Sequence, residues 1–218
     1  MVSVGLSARA ALLLTIFCCP WITDSLKFSS EIKVPNGGVW GEWGPASFCT
    51  SGCAAGFSLK VEKHQPAGDN TAVNGIRLHC NDGIEIESKV GPWGEWTANQ
   101  MCRKGCLGSF SLKVHSYQGI FDDTSVNNIQ FKCSDDADLR GIANENGKFG
   151  PWSRKCPSEG ICGMRTRVED AQGPFGDDTA LNDVVFYCCQ NSPDWEGIRE
   201  VAETSSIASV SPSSLSSF

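Results

Sequence analysis

Phe57-Ser-Leu-Lys-Val61 returns letter for letter as Phe110-Ser-Leu-Lys-Val114, 53 residues further along the chain. In both copies an apolar residue alternates with a polar one, which is the period of a strand with one buried face. Met164-Arg-Thr-Arg-Val168 fills the same place a third time, at an offset of 54. A second alternating stretch follows each of these. Ile76, Leu78 and Cys80 share one face, then Ile129, Phe131 and Cys133, then Val184, Phe186 and Cys188. Ile84 to Val90 offers a further strand in the first copy. No segment after the N-terminal one combines a 3.6-residue apolar period with helix caps. The pattern predicts an all-β fold.

Other landmarks keep the same spacing. Trp40-Gly-Glu-Trp43 recurs as Trp93-Gly-Glu-Trp96, and Cys49, Cys53 and Cys80 recur as Cys102, Cys106 and Cys133, each at 53. Phe149-Gly-Pro-Trp152 echoes Val90-Gly-Pro-Trp93 and opens a third, looser copy. Internal repetition governs the reading of everything else. A 53-residue unit alone buries too little surface to be stable. Three equivalent sheets do better by turning their apolar faces toward a common axis. This predicts one prism-like domain over residues 26–201, with repeat units near 36–88, 89–146 and 147–191; a closed barrel is the lesser alternative.

The ends differ from this body. Arg9, the apolar run Ala10–Cys19 and the small residues Thr23 and Ser25 have the layout of a secretory signal peptide over residues 1–25. That run is far shorter than the ~20 residues a spanning helix needs, and no later segment is a candidate for a membrane span. Residues 202–218 are Ser-rich and lack apolar anchors, so a disordered tail is expected there. A net charge of −7 and a pI near 5.0 exclude the basic face that nucleic acid requires.

Twelve cysteines less Cys18 and Cys19 leave ten: Cys49, Cys53, Cys80, Cys102, Cys106, Cys133, Cys156, Cys162, Cys188 and Cys189. An even number in an oxidising compartment implies up to five disulfides. Cys49-x3-Cys53 and Cys102-x3-Cys106 superficially resemble zinc-ligand pairs, but each unit lacks the second pair that a structural site needs. No metal and no cofactor are expected.

The chemistry-bearing candidates lie in Gly68-Asp-Asn-Thr-Ala-Val-Asn74, Phe121-Asp-Asp-Thr-Ser-Val-Asn127 and Gly176-Asp-Asp-Thr-Ala-Leu-Asn182. If these loops converge, Asp69, Asp122, Asp123, Asp177 and Asp178 line one acidic hollow. Carboxylates and amides suit sugar hydroxyls, and paired carboxylates serve glycoside cleavage or transfer. The competing reading is structural: Asp, Asn and Thr at a loop-to-strand junction form turns with their own backbone. Trp40, Trp43, Trp93, Trp96 and Trp152 suit sugar stacking, although their regular return at unit starts favours core packing. His64, His79 and His115 are scattered, with none beside a Ser or Cys in a recognisable triad.

Val34-Pro-Asn-Gly-Gly38, the Trp-Gly-Glu-Trp segments, Gly56–Val61, Gly68–Cys80, Cys156-Pro and Cys188-Cys189 together resemble the vitelline membrane outer layer protein 1 family, over residues 32 to 191. The resemblance implies a β-prism of three four-stranded Greek-key sheets with internal pseudo-threefold symmetry, secreted into egg coats or other extracellular fluids. It implies coat glycoproteins or glycans as partners. The enzymatic alternative it raises is a transferase or hydrolase acting on chito-oligosaccharides; a lectin is the other. It also implies the bridges Cys49–Cys80, Cys102–Cys133, Cys156–Cys188 and Cys162–Cys189, the last two open to exchange. Cys53 and Cys106 depart from the family pattern. Left over at equivalent positions, they are expected to bond to each other and tie the first sheet to the second.

Overall fold

The computed structural model describes residues 28–62, 73–114, 125–143, 147–157, 160–170 and 181–189. Every regular element among them is a strand. The first three are β1 (Phe28–Ile32), β2 (Glu42–Trp43) and β3 (Ser47–Phe48), followed by the hairpin β4 (Ala54–Val61) and β5 (Val73–Cys80). Next come β6 (Glu85–Glu87), β7 (Glu95–Trp96) and β8 (Gln100–Met101), then the hairpin β9 (Leu107–Val114) and β10 (Val126–Cys133). The chain continues through β11 (Asp138–Arg140) and β12 (Lys148–Phe149) into a third hairpin, β13 (Ile161–Val168) and β14 (Leu181–Cys189). The strand expected over Ile84–Val90 forms only at its centre, as β6.

Three antiparallel sheets result. Two have the orders β6-β5-β4-β7 and β11-β10-β9-β12, and the third is β1-β14-β13-β2. Strands β3 and β8 extend the edge positions begun by β2 and β7, pairing with β13 and β4. Three hairpin-linked strands with the fourth returning beside the first make a Greek key. The first two sheets follow that rule in chain order. The third follows it only by joining the two ends of the described chain, because β1 and β2 flank the last hairpin.

The sheets therefore cut across the sequence repeats. Each hairpin takes its outer strand from the copy that follows, so β7 and β8 belong by sequence to the second unit and by pairing to the first sheet. This exchange changes the meaning of the bridges. Cys49 follows β3 and donates its N–H to Cys162 O on β13, while its disulfide partner Cys80 ends β5 in the next sheet. Cys102–Cys133 and Cys156–Cys188 repeat that step, with Cα–Cα distances of 5.9 and 5.4 Å. Three bridges that look internal to each repeat instead form a ring, joining each sheet to its neighbour. Cys53–Cys106, 6.0 Å between Cα atoms, adds a further link between the first two sheets.

All three sheets share one interior. Phe57 from the first sheet, Phe110 and Phe131 from the second and Phe186 from the third are fully buried. Phe57 and Phe131 are 4.6 Å apart at their ring centroids, Phe110 and Phe186 4.7 Å, and Phe131 and Phe186 5.2 Å. Each such side chain contributes about 1.5–3 kcal/mol by leaving water, with a further edge-on ring term. Leu59, Leu112, Ile76, Ile129 and Val184 fill the same cluster. The alternation seen in the sequence is the inward stripe of this prism.

Candidate functional site

The prism has two distinct ends. Strands β4, β9 and β13 all set out from one of them, where Cys53, Cys106 and Gly160 occupy equivalent places. Their carbonyls accept the N–H groups of Asn81, Ser134 and Cys189 in three matching bonds of 2.9, 2.8 and 2.9 Å. A Cβ at Gly160 would lie 2.8 Å from Cys106 Cβ and 2.6 Å from Leu107 O. Gly160 also has φ of +96°, a conformation that favours glycine. Two copies thus supply the bridged sulfurs and the third supplies room for them. Cys162 and Cys189 are buried in the same cluster, packed by Phe28. Cys162 Sγ lies 3.7 Å from Tyr187 O and Cys189 Sγ 3.5 Å from Gly52 O.

At the opposite end lie the strand ends Val61 and Val73, Val114 and Val126, and Val168 and Leu181, which residues 63–72, 115–124 and 171–180 join in sequence. Asp69, Asp122, Asp123, Asp177 and Asp178 fall on these connections and lie outside the described residues, as do the segments expected to be a signal peptide (1–25) and a disordered tail (202–218). The last residue of each motif is described. Asn74, Asn127 and Asn182 are all buried at the second position of β5, β10 and β14. Asn74 O accepts the Gly91 N–H at 2.6 Å, and Asn182 O accepts the Gly38 N–H at 2.7 Å. In two copies the end of the motif therefore fastens the incoming chain to its hairpin.

Beside Asn182, Asp183 occupies the place of Gly75 and Asn128. Its Oδ1 accepts the Val184 N–H at 2.8 Å, just as Asn128 Oδ1 accepts that of Ile129. Burial pushes its carboxyl above the usual carboxylate range, against the Val184 bond and the charges of Arg167 and Lys33.

The tryptophans do not pack in the core, contrary to the expectation from their spacing. Trp40 and Trp93 are 47% and 49% exposed, and Trp152 lies at the surface too. Trp43 and Trp96 lie half-buried on the outer faces. Arg77 Cζ is 4.0 Å from the Trp96 ring, and Arg165 Cζ is 4.9 Å from that of Trp43, within cation–π range. The reason is positional. These residues sit at sheet edges, where the apolar interior is already filled by the hairpin strands. The pairing also resets the third copy. Phe149 faces Lys113 as Trp96 faces Lys60 and Trp43 faces Arg167. Phe149 is therefore the counterpart of Trp96 rather than of Val90, and the echo of Val90-Gly-Pro-Trp93 in Phe149-Gly-Pro-Trp152 is not a spatial equivalence.

His79 departs from its sequence reading as well. Its Nε2 is 3.1 Å from Ser58 Oγ, and its Nδ1 is 3.1 Å from Glu85 Oε1. The three meet through cross-strand neighbours on β4, β5 and β6, which spacing along the chain does not reveal. The order serine–histidine–carboxylate matches a nucleophile relay. Ser58, however, is only 1% exposed, and Arg77 bridges Glu85 and Glu87 at 3.4 and 2.6 Å beside it. No substrate reaches the hydroxyl, so the chain of bonds buttresses the outer face. Burial lowers the His79 pKa below its ordinary value, outweighing the opposing pull of Glu85. Among the described residues no cluster of His, Cys, Asp and Glu is arranged to hold a metal ion, and no helix is long and apolar enough to cross a membrane.

Three Greek-key sheets around one core, ringed by inter-sheet disulfides, define a β-prism with internal pseudo-threefold symmetry. Residues 30–191 match the family model for vitelline membrane outer layer protein I, and the chain belongs to that family. It is 43% identical over 186 residues to the human vitelline membrane outer layer protein 1 homolog, covering 81% of this chain and 91% of the relative. The mouse homolog is 40% identical over 195 residues, covering 84% and 96%. Among solved structures, Calystegia sepium agglutinin is similar at a TM-score of 0.47 and 16% identity, over 72% of this chain and 93% of that one.

Proposed function

We propose that this chain is a secreted structural and interaction protein of an extracellular layer, and that it contacts glycans or coat glycoproteins through Asp69, Asp122, Asp123, Asp177 and Asp178. The observation that carries the reading is the triple return of the acidic hairpin connection in a member of a family named for an egg-coat layer. The strands on either side of each connection are held rigidly, by the shared core and, in two copies, by the backbone bonds of Asn74 and Asn182. Rigid strand ends suit a site built from carboxylates and amides. The signal-peptide layout of residues 1–25 and the inter-sheet disulfides support an oxidising compartment. For the same reason we take Cys162 and Cys189, gathered with Cys53 and Cys106, to close as a fifth bridge, which peptide mapping of the unreduced protein checks.

A glycan array and incubation with chito-oligosaccharides test the function. The expected result is saturable binding without change of chain length, weakened at least tenfold by Asp177→Asn with Asp178→Asn while the fold is kept. Shortened or lengthened oligosaccharides would instead establish the transferase or hydrolase. Unchanged binding in the double variant would remove the aspartates from the site.

A further inference from the structure

The two Trp-Gly-Glu-Trp segments hold an asymmetry that neither core packing nor the acidic loops account for. In each, the second tryptophan is laid on its sheet under an arginine, Trp43 by Arg165 and Arg167 and Trp96 by Arg77. The first is left standing. Trp40 and Trp93 are 47% and 49% exposed, a state unusual for so large an apolar side chain. The glycine between them has positive φ, +79° at Gly41 and +86° at Gly94. That bend directs the chain back to the hairpin while the preceding residue stays outside. A Cβ at Gly94 would meet Val61 O at 2.5 Å and Glu62 N at 2.6 Å, so the chain packs here directly against the end of β4. Two copies share this geometry, and the third replaces it with Asn146-Gly-Lys-Phe149.

We propose that Trp40 and Trp93 are C-mannosylated. Trp-x-x-Trp is the acceptor pattern of secretory-pathway transferases that modify its first tryptophan, and here it is the first tryptophan that the fold leaves uncovered. The donor is a polyprenyl-phosphate-linked mannose. Indole C2 attacks mannose C1, and the C1–O bond to phosphate breaks. Polyprenyl phosphate leaves, and the C2 proton passes to a base of the transferase, restoring the aromatic ring. Both indoles stand about half in solvent on the native surface. The attached sugar turns two exposed apolar faces into hydrated ones, removing an association hazard. Trp43 and Trp96, covered by guanidinium groups, remain unmodified, and so does Trp152, which lacks a tryptophan three residues on. The inference goes beyond glycan recognition and requires only that the chain enter the secretory pathway.

The test is peptide mass spectrometry on the full chain secreted by animal cells, with a Trp-x-x-Trp reporter co-expressed. One hexose is expected on each of Trp40 and Trp93, resistant to alkaline elimination and giving the cross-ring fragment of a C-linked sugar. Trp40→Phe should remove the first hexose alone, and Trp93→Phe the second. Bare Trp40 and Trp93 beside a modified reporter would overturn the proposal, as would finding that the hexose on these two peptides is base-labile and carried by a residue other than tryptophan. Absence of the protein from the medium would overturn the secretory reading and the modification with it, whereas secreted but bare protein sinks the modification alone.

Discussion

The two ends of the prism are built from one threefold pattern by different means. At the cysteine end the three copies diverge at one equivalent position, where Cys53 and Cys106 bring sulfur and Gly160 brings the absence of a side chain. At the hairpin end they agree, with a buried Asn at the same strand position in each copy. Covalent closure tolerates, and here demands, a broken repeat, because two sulfurs bond and a third position must yield. Hydrogen-bonded closure rewards repetition, since Asn74 and Asn182 fasten the incoming chain to their hairpins by the same backbone bond. The sulfur-laden end is thus the scaffold, and the end with the repeated Asn is the one at which we propose recognition.

The first way to strain this contrast lies between the ends. Phe131→Ala opens the shared interior against Phe57, Phe110 and Phe186 and should cost about 3–5 kcal/mol in urea unfolding. The loss should be felt equally at both ends. Replacing Cys53 and Cys106 by Ala should cost about 2–4 kcal/mol, and should leave glycan binding by the folded protein unchanged. Gly160→Ala combines positive φ with a contact against Cys106 and should cost about 2–3 kcal/mol. Gly83→Ala is its control: φ is +84° there, yet nothing lies within 4 Å of the added Cβ. That variant should lose only about 1 kcal/mol. Equal losses at Gly160 and Gly83 would show that the cysteine end is loosely packed.

The smallest effect sharpens the hairpin end. The raised carboxyl of Asp183 means that the folded protein holds this proton to higher pH than the unfolded chain does. Stability is then lost as pH rises from the ordinary carboxylate range through the folded value. Asp183→Asn, the amide that Asn128 already supplies in the second copy, should therefore stabilise by a few tenths to about 1 kcal/mol at neutral pH. The gain should vanish in acid. Thermal melts at both pH values read it, and a gain of equal size in acid would contradict the account.

The sequence discloses the inward stripe, because Phe57, Leu59 and their counterparts alternate so strictly that only one face can be apolar. It also discloses the triple repetition. It does not disclose that β7 pairs with β4, since strand exchange between copies leaves every spacing unchanged. For that reason Cys49–Cys80 reads as a bridge inside a repeat and proves to link two sheets. The tryptophans mislead because regular return signals a structural role without saying which side of a sheet bears it. His79 misleads because its partners, Ser58 and Glu85, approach across strands. Asp69, Asp122, Asp123, Asp177 and Asp178 are named by the sequence alone.

The central claim is that exchanged strands and three inter-sheet bridges make one cooperative body. Native-state hydrogen exchange on the protein carrying Cys156→Ala and Cys188→Ala tests it most directly. Amides of β4–β5, β9–β10 and β13–β14 should lose protection together, by the same factor, although the deleted bridge joins only two sheets. Loss confined to β13–β14, with the other two hairpins at full protection, would show three sheets that merely adjoin.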